Sequence, residues 1–122
     1  MKGITITGKY KTSINELKNA LSNLMNYEPT IVFNGSNDPS FKCYTSIDPR
    51  DGYNEIDIIR ILVKHCTNFK LEFNEDSYIG GSYTCDPYFI ISTYYTWDGK
   101  NLKRCYKDYF GSTCENVNYL LK

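Results

Sequence analysis

The stretch from Tyr88 to Tyr109 constrains the fold most, because its pattern is that of one long β-hairpin. A β-prone run, Phe89 to Trp97, is followed by Asp98-Gly99 and then by a second run, Lys100 to Tyr109. Asp-Gly between two such runs is a strong hairpin signal, because the favoured two-residue turn needs positive φ at both central positions. The sequence therefore predicts a two-residue turn at Asp98-Gly99.

The predicted turn also determines which residues share a face of the hairpin. It places Tyr95 opposite Leu102, Ile91 opposite Tyr106, Phe89 opposite Asp108, and Tyr94 opposite Lys103. One face is then expected to pack on a core, and the other to meet water or a partner. The expected inner face carries Phe89, Ile91, Tyr95, Leu102 and Tyr106, and the expected outer face carries Tyr94, Lys103, Cys105 and Lys107.

The 122-residue length predicts a single domain, 1–122, with a core of its own. Fourteen basic and fourteen acidic residues give a net charge of zero, so long-range attraction to nucleic acid or to an anionic membrane is not built in, although a local patch can still provide it. Twelve tyrosines suit a β-rich protein and a binding surface.

The cysteines and the start of the chain predict a cytoplasmic protein without membrane contact. Five cysteines at scattered positions suggest thiols that behave as small apolar residues in a reducing cytosol. The segment Met1 to Thr7 has no long apolar region and does not resemble a signal peptide. No run approaches the length of a membrane span.

The expected fold class is α+β, with an antiparallel sheet, two helices on one face and a C-terminal hairpin. Its first six elements follow the ferredoxin-like order βαββαβ. The expected strands are Gly3 to Tyr10, Thr30 to Phe33, Phe41 to Thr45 and Phe69 to Phe73, and the expected helices are Ser13 to Asn26 and Asn54 to Cys66.

One of the expected helices allows a second interpretation. Asn54 to Cys66 fits a helix better than a strand, because Ile59 and Leu62 break the alternation of apolar residues. Cys114 to Leu121 is expected to form a short final helix. Asn74 to Pro87 is expected to be a long polar loop, of the kind that often carries function.

No catalytic, cofactor or metal motif is complete. His65 and Cys66 are adjacent on a predicted helix, where side chains diverge, so we expect His65 at the polar helix end. Paired cysteine spacings for zinc are absent, and the acidic group Asp48 to Asp57 fails the EF-hand pattern. We therefore expect no enzyme activity, no cofactor and no metal.

Four cations lie on the second strand of the hairpin, where they can block sheet pairing or contact phosphates. Tyrosines and the single Trp are the expected anchors of an interface. The expected binding residues are Tyr78, Tyr83, Tyr88, Tyr94, Trp97, Lys100, Lys103, Arg104 and Lys107.

These observations favour a small non-catalytic binding protein that inhibits or adapts another protein. The composition suggests a phage or mobile-element accessory protein that blocks a host factor. The first alternative is a nucleic-acid or nucleotide binder that uses the basic strand Lys100 to Lys107, and the second is a thiol-dependent enzyme built on Cys85 or Cys66. A homo-oligomer formed through an exposed strand edge is also compatible with the sequence.

Overall fold

The described part of the chain builds one antiparallel sheet with two helices. A computed structural model describes residues 2–24, 29–34, 37–47, 55–74, 92–108 and 111–122. The strands are β1 Lys2–Tyr10, β2 Thr30–Phe33, β3 Ser40–Ile47, β4 Cys66–Asn74, β5 Ser92–Trp97, β6 Leu102–Asp108 and β7 Gly111–Asn116. The helices are α1 Ile14–Leu24 and α2 Glu55–His65, and a 3-10 helix covers Asn118–Leu121.

The sheet has seven strands in the order β2-β3-β1-β4-β5-β6-β7, and every neighbouring pair is antiparallel. The predicted α+β class and antiparallel sheet are therefore confirmed. The predicted ferredoxin-like arrangement is not matched, because the sheet does not stop at a four-stranded core but continues through the C-terminal strands. Because β5 pairs with β4, the hairpin of β5 and β6 extends the main sheet.

Helix α1 begins as its capping sequence predicts. The Glu16 amide donates to the Ser13 hydroxyl oxygen at 3.1 Å, which satisfies one free amide of the first turn. Leu17 and Leu21, one turn apart, are fully buried against the sheet.

Helix α2 settles the ambiguous segment in favour of a helix. Glu55 and Asp57 lie in its first turn, and Lys64 and His65 lie in its last turn, which complements the helix dipole at both ends. Strand β4 follows immediately at Cys66, so it begins three residues earlier than the alternation at Phe69 suggests.

The core lies between the helices and one face of the sheet. Residues at every second strand position are buried there, and they meet the apolar faces of both helices. Its fully buried members include Ile4, Ile6, Leu17, Leu21, Ile58, Ile59, Leu62, Leu71, Phe73, Leu102 and Val117.

The hairpin of β5 and β6 forms, but its predicted register is wrong by two residues. Trp97 pairs with Leu102, so four residues connect the strands instead of two. Tyr95 consequently faces Arg104 rather than Leu102, Tyr94 faces Cys105 rather than Lys103, and Tyr106 faces Thr93 rather than Ile91. The pairings predicted for Phe89 and Ile91 involve residues outside the described ranges.

The cause of this difference is the Asp98 side chain. Its Oδ1 atom accepts hydrogen bonds from the amides of Lys100 at 2.9 Å and Asn101 at 2.7 Å, which closes a wider turn. Gly99 alone takes positive φ, at 97°, whereas the predicted turn needs it at both central positions. Because the shift is an even number, the predicted division of side chains between the two faces is unchanged.

The C-terminal segment differs from its predicted helix. Gly111–Asn116 forms β7, which pairs with β6, and only Asn118–Leu121 is helical. The Val117 amide donates to the Leu102 carbonyl oxygen at 2.8 Å, and the Leu102 amide donates to Asn118 Oδ1 at 2.6 Å. These two bonds fasten the end of the chain to β6.

The prediction that all cysteines are thiols is wrong for one pair. Cys105 and Cys114 face each other on β6 and β7 and form a disulfide, with Cα atoms 4.1 Å apart. The pairing of β6 with β7 brings them together. The sequence does not predict this pairing, because it predicts a helix where β7 forms. Cys43 and Cys66 are buried thiols, as predicted, and Cys85 lies outside the described residues.

Candidate binding face of the sheet

The two faces of the sheet differ in what covers them. Within the described ranges, both helices and Val117 pack on one side, which we call the inner face. The opposite side, the open face, consists of the alternate strand residues, and no described helix packs on it. Its charged and aromatic members are Lys9, Lys42, Tyr44, Lys70, Glu72, Tyr94, Lys103 and Lys107.

A transverse row of lysines and threonines crosses the open face from β3 to β6. Pairing across five neighbouring strands aligns Lys42, Thr7, Lys70, Thr96 and Lys103 in this order, which we call the lysine row. Its three lysines lie on every second strand, about 9.6 Å apart by the usual strand spacing. All three are exposed, while the threonines between them are half-buried.

A second row runs beside it, two residues along each strand. Pairing aligns Tyr44, Thr5, Glu72, Tyr94 and Cys105, which we call the tyrosine row. The two rows are about 6.8 Å apart by strand geometry. Each tyrosine lies beside a lysine of the first row.

Cation–π contacts link the two rows. The Lys70 ammonium lies 4.7 Å from the centroid of the Tyr94 ring, and the Lys42 ammonium lies 5.3 Å from that of Tyr44. Lys70 also pairs with Glu72 at 3.6 Å. Because these side chains are solvent-accessible, each contact contributes only a small free energy and leaves the lysines free to rearrange toward a ligand.

Three of the predicted binding residues lie on the open face. Tyr94 belongs to the tyrosine row and Lys103 to the lysine row, and Lys107 lies four residues beyond Lys103 on the same face of β6. Lys100 lies in the turn after β5, where it is exposed. The geometry therefore brings Tyr94, Lys103 and Lys107 onto one surface.

Two other predicted binding residues lie on the inner face. Trp97 is partly buried and packs against the core. Arg104 donates to Glu115 Oε1 from Nη2 at 2.7 Å and from Nε at 3.1 Å, and its guanidinium lies 5.7 Å from the Tyr106 ring centroid. Glu115 is the main reason that the pKa of Arg104 is raised. Neither side chain contributes to the open face.

Tyr78, Tyr83 and Tyr88, the remaining predicted anchors, lie outside the described residues. So does the predicted loop from Asn74 to Pro87, except for Asn74 itself, which is the last residue of β4.

The chain has no significant match among protein-family models, curated proteins or solved structures. The chemistry of the open face is accordingly derived from its own side chains.

Three lysine and tyrosine members of the two rows were not among the predicted binding residues: Lys42, Tyr44 and Lys70. Their local signal was present, because Lys42-Cys43-Tyr44 and Lys70-Leu71-Glu72 each alternate between polar and apolar side chains. What could not be read was that β1 lies between β3 and β4 and aligns them. Only the pairing of distant segments produces the rows.

A small polar cluster, Tyr95 and Glu55, lies on the inner face between β5 and α2. The Tyr95 hydroxyl donates to Glu55 Oε2 at 2.9 Å. Burial, followed by the negative charge of Glu55, raises the pKa of Tyr95 to about 12. A tyrosine held so firmly in its protonated form ties α2 to β5 and is poorly suited to act as a base.

The two described free thiols, Cys43 and Cys66, are buried, and His65 is hydrogen-bonded. Burial raises the pKa of both Cys43 and Cys66 to about 12. His65 forms a hydrogen bond between Nδ1 and the Thr12 hydroxyl at 3.0 Å, and burial lowers its pKa. Neither described thiol is therefore an activated nucleophile.

No group of three or more His, Cys, Asp or Glu side chains in the described ranges is arranged to hold a metal ion. None of the described helices has both the length and the apolar character needed to cross a membrane.

Proposed function

We propose that this chain is a small non-catalytic binding protein that holds an anionic partner on the open face of its sheet. The observation that carries the proposal is the lysine row. Three exposed ammonium groups at regular intervals form an extended line of positive charge that no described helix covers. A partner with a matching line of negative charge would gain from all three at once.

The distribution of charge supports this proposal more than the total charge does. The whole chain is neutral, yet the described strand residues of the open face include five lysines and one carboxylate, Glu72. Local concentration of one sign on a neutral protein favours encounters in one orientation.

An inhibitor or adaptor of another protein, the first expectation from the sequence, is the case in which the anionic partner is an acidic protein surface. A phage or mobile-element origin and self-association remain predictions on the same footing. The cytoplasmic location is also still a prediction. The Cys105–Cys114 disulfide argues against it, because stable disulfides are rare in a reducing compartment.

The ferredoxin-like comparison is kept as a proposal for β1 to β4 and the two helices alone. Domains of that kind include RNA-recognition modules, which use an open sheet face with aromatic side chains. This is an analogy of fold and of exposed face, and Phe41-Lys42-Cys43-Tyr44 lacks the aromatic core of their motif.

The thiol-enzyme alternative loses its support at Cys66. A thiol with a pKa of about 12 is almost entirely protonated at neutral pH, and the thiolate is the reactive form. The same alternative at Cys85 concerns a residue outside the described ranges and remains a prediction.

The proposal is tested by salt elution from immobilised heparin, a general anionic polymer. We compare wild type with a double variant, Lys42→Gln and Lys103→Gln, which removes two charges from the lysine row without reversing them. The matched control, Lys18→Gln and Lys64→Gln, removes two exposed lysines from the helices. Wild type and control are expected to elute together, and the lysine-row variant at clearly lower salt.

Equal elution of all three proteins would contradict the proposal, because the sites of the removed charges would then not matter. Arg104→Gln gives a second control. Because the Arg104 guanidinium is paired with Glu115 on the inner face, replacing Arg104 is expected to leave the salt concentration of elution unchanged.

A further inference from the structure

We infer that the anionic partner is a single strand of nucleic acid, whose backbone follows the lysine row while its bases stack along the tyrosine row. This inference rests on the proposed function and names its partner. It depends on the pairing of the two rows, which places cations and aromatic rings side by side on one exposed sheet face.

The first step is the relation of the lysines to the tyrosines. Proteins that bind single strands combine a positive track for the phosphates with aromatic rings for the bases. Here the track and the rings occupy adjacent rows about 6.8 Å apart. A strand laid across β3 to β6 would meet Lys42, Lys70 and Lys103 with one edge and both tyrosines with the other.

The second step is the accessibility of the rings. Tyr44 is 43% exposed, and Tyr94 is half-buried beside Lys70. The two rings lie three strands apart, about 14 Å. The lysines already lie near these rings, so a base stacked on either tyrosine would have a cation beside it for its phosphate.

The side-chain composition of the open face favours a nucleic acid over an acidic protein as the partner. Protein interfaces need an apolar core, and lysine is depleted in them. Among the described residues of the open face, Val32 and Tyr44 are the exposed large hydrophobic side chains, and they lie together at the β2–β3 end. Apart from Glu72 and Cys105, the other members of the two rows are lysine, threonine and tyrosine, which suit phosphates and bases better than a protein surface.

The presence of both rows favours a single strand over a duplex. Paired bases are stacked on each other and present only their edges in the grooves, so they cannot lie on a tyrosine ring. The lysine row alone would attract any nucleic acid, whereas the tyrosine row adds binding free energy only when bases are unpaired. Preference for a single strand is therefore the specific consequence of having both rows.

The experiment measures fluorescence anisotropy of labelled oligothymidylate and oligouridylate of about 20 nucleotides, longer than the roughly 4–16 nucleotides that one small domain contacts. Duplex DNA and heparin are the comparison ligands. Both single strands are expected to bind more tightly than the duplex. The two of them together report whether the sugar matters, since the shared chemistry here is phosphate and base.

Two sets of variants separate the rows. The double variant Lys42→Gln and Lys103→Gln is expected to reduce the salt slope for single strands by about 1.4, because each lost charge accounts for about 0.7. Tyr44→Ser is expected to weaken binding between about fivefold and 100-fold with the slope unchanged, and Tyr44→Phe, which keeps the ring, to bind as wild type. Unchanged thermal unfolding serves as the check that each variant is folded.

Each outcome decides between the two proposals. Tight single-strand binding that depends on both Tyr44 and the lysine row supports the inference. Equal binding of single strand, duplex and heparin, with no effect of Tyr44→Ser, overturns it but leaves intact the proposal that the open face binds an anionic partner. Retention on heparin without oligonucleotide binding also overturns it, and points to an acidic protein. Failure to bind any polyanion overturns both.

Discussion

The inner and open faces of the sheet are built from alternate residues of the same strands, yet they follow different rules. In β4, Leu71 is fully buried beneath the helices while its neighbour Lys70 is exposed beside Tyr94. The side chains of the inner face are mostly apolar, because two helices pack on them and exclude water. The open face keeps polar side chains that the fold itself does not require. The comparison assigns most of the apolar core to the inner face and leaves the open face as the surface for which we propose recognition.

The largest expected effect comes from a pair of substitutions one residue apart. Leu71→Ala removes a fully buried side chain, and we expect it to lower the free energy of unfolding by about 2–5 kcal/mol. Lys70→Ala on the open face should change it by no more than about 0.5 kcal/mol. Urea unfolding monitored by circular dichroism provides both values.

The same two variants should behave in the opposite way toward heparin. Lys70→Ala is expected to elute at lower salt than wild type, and Leu71→Ala, where still folded, to elute with wild type. If the two substitutions destabilised the protein equally, the proposed division between the faces would be wrong.

The second expected effect tests whether the open face contributes to stability in any other way. The Cys105–Cys114 disulfide lies on this face and joins two neighbouring strands. Replacing both cysteines with Ser is expected to lower the free energy of unfolding by about 2–3 kcal/mol, because the cross-link restricts the unfolded chain. Thermal unfolding with and without reductant measures the same quantity.

The control for this prediction is the serine variant itself. Reductant should lower the Tm of wild type and leave that of the variant unchanged, since Cys43 and Cys66 are already thiols. A wild-type Tm that does not respond to reductant, after complete reduction is verified by mass spectrometry, would argue against the cross-link as a stabilising feature.

The smallest effect concerns the polar cluster on the inner face. Tyr95→Phe removes the hydrogen bond to Glu55, and we expect a loss of about 1 kcal/mol at pH 7. The pKa of Tyr95 is raised in the folded state, from about 10 to about 12. Its contribution is therefore fully present below pH 10 and is lost as the pH rises toward 12, because the unfolded chain releases the proton first.

Unfolding free energies measured at intervals from pH 8 to pH 12 check this sign. Wild type should lose more stability than Tyr95→Phe over the upper half of that interval. Parallel curves for the two proteins would show that the Tyr95 hydroxyl is not held in its protonated form, and would remove it from the cluster.

The local parts of the fold were predictable from the sequence. The Ser13 cap, the amphipathic faces of α1 and α2, and the alternation that buries Tyr95 but not Tyr94 all follow from neighbouring residues. The hairpin register was not predictable from the Asp-Gly pair alone. Its turn is set by the Asp98 side chain, which competes with the backbone for the amides of Lys100 and Asn101.

The candidate site was predictable only in part, for a related reason. Tyr94, Lys103 and Lys107 were identified because they belong to one hairpin. Lys42 and Lys70 were missed because their alignment depends on β1 entering the sheet between β3 and β4. Strand β7 was missed because its residues are exposed throughout, so no apolar alternation marks it as a strand.

The four-residue connection between β5 and β6 has a consequence for how related chains could diverge. Deleting or inserting one residue between Trp97 and Leu102 would send Lys103 toward the helices and Leu102 toward water, and would scramble both surfaces together. Inserting or deleting two residues would shift β6 along β5, but each side chain of β6 would stay on the same face of the sheet. Evolution at this loop is thus expected to proceed in even steps, with the cations moving along the surface as a set.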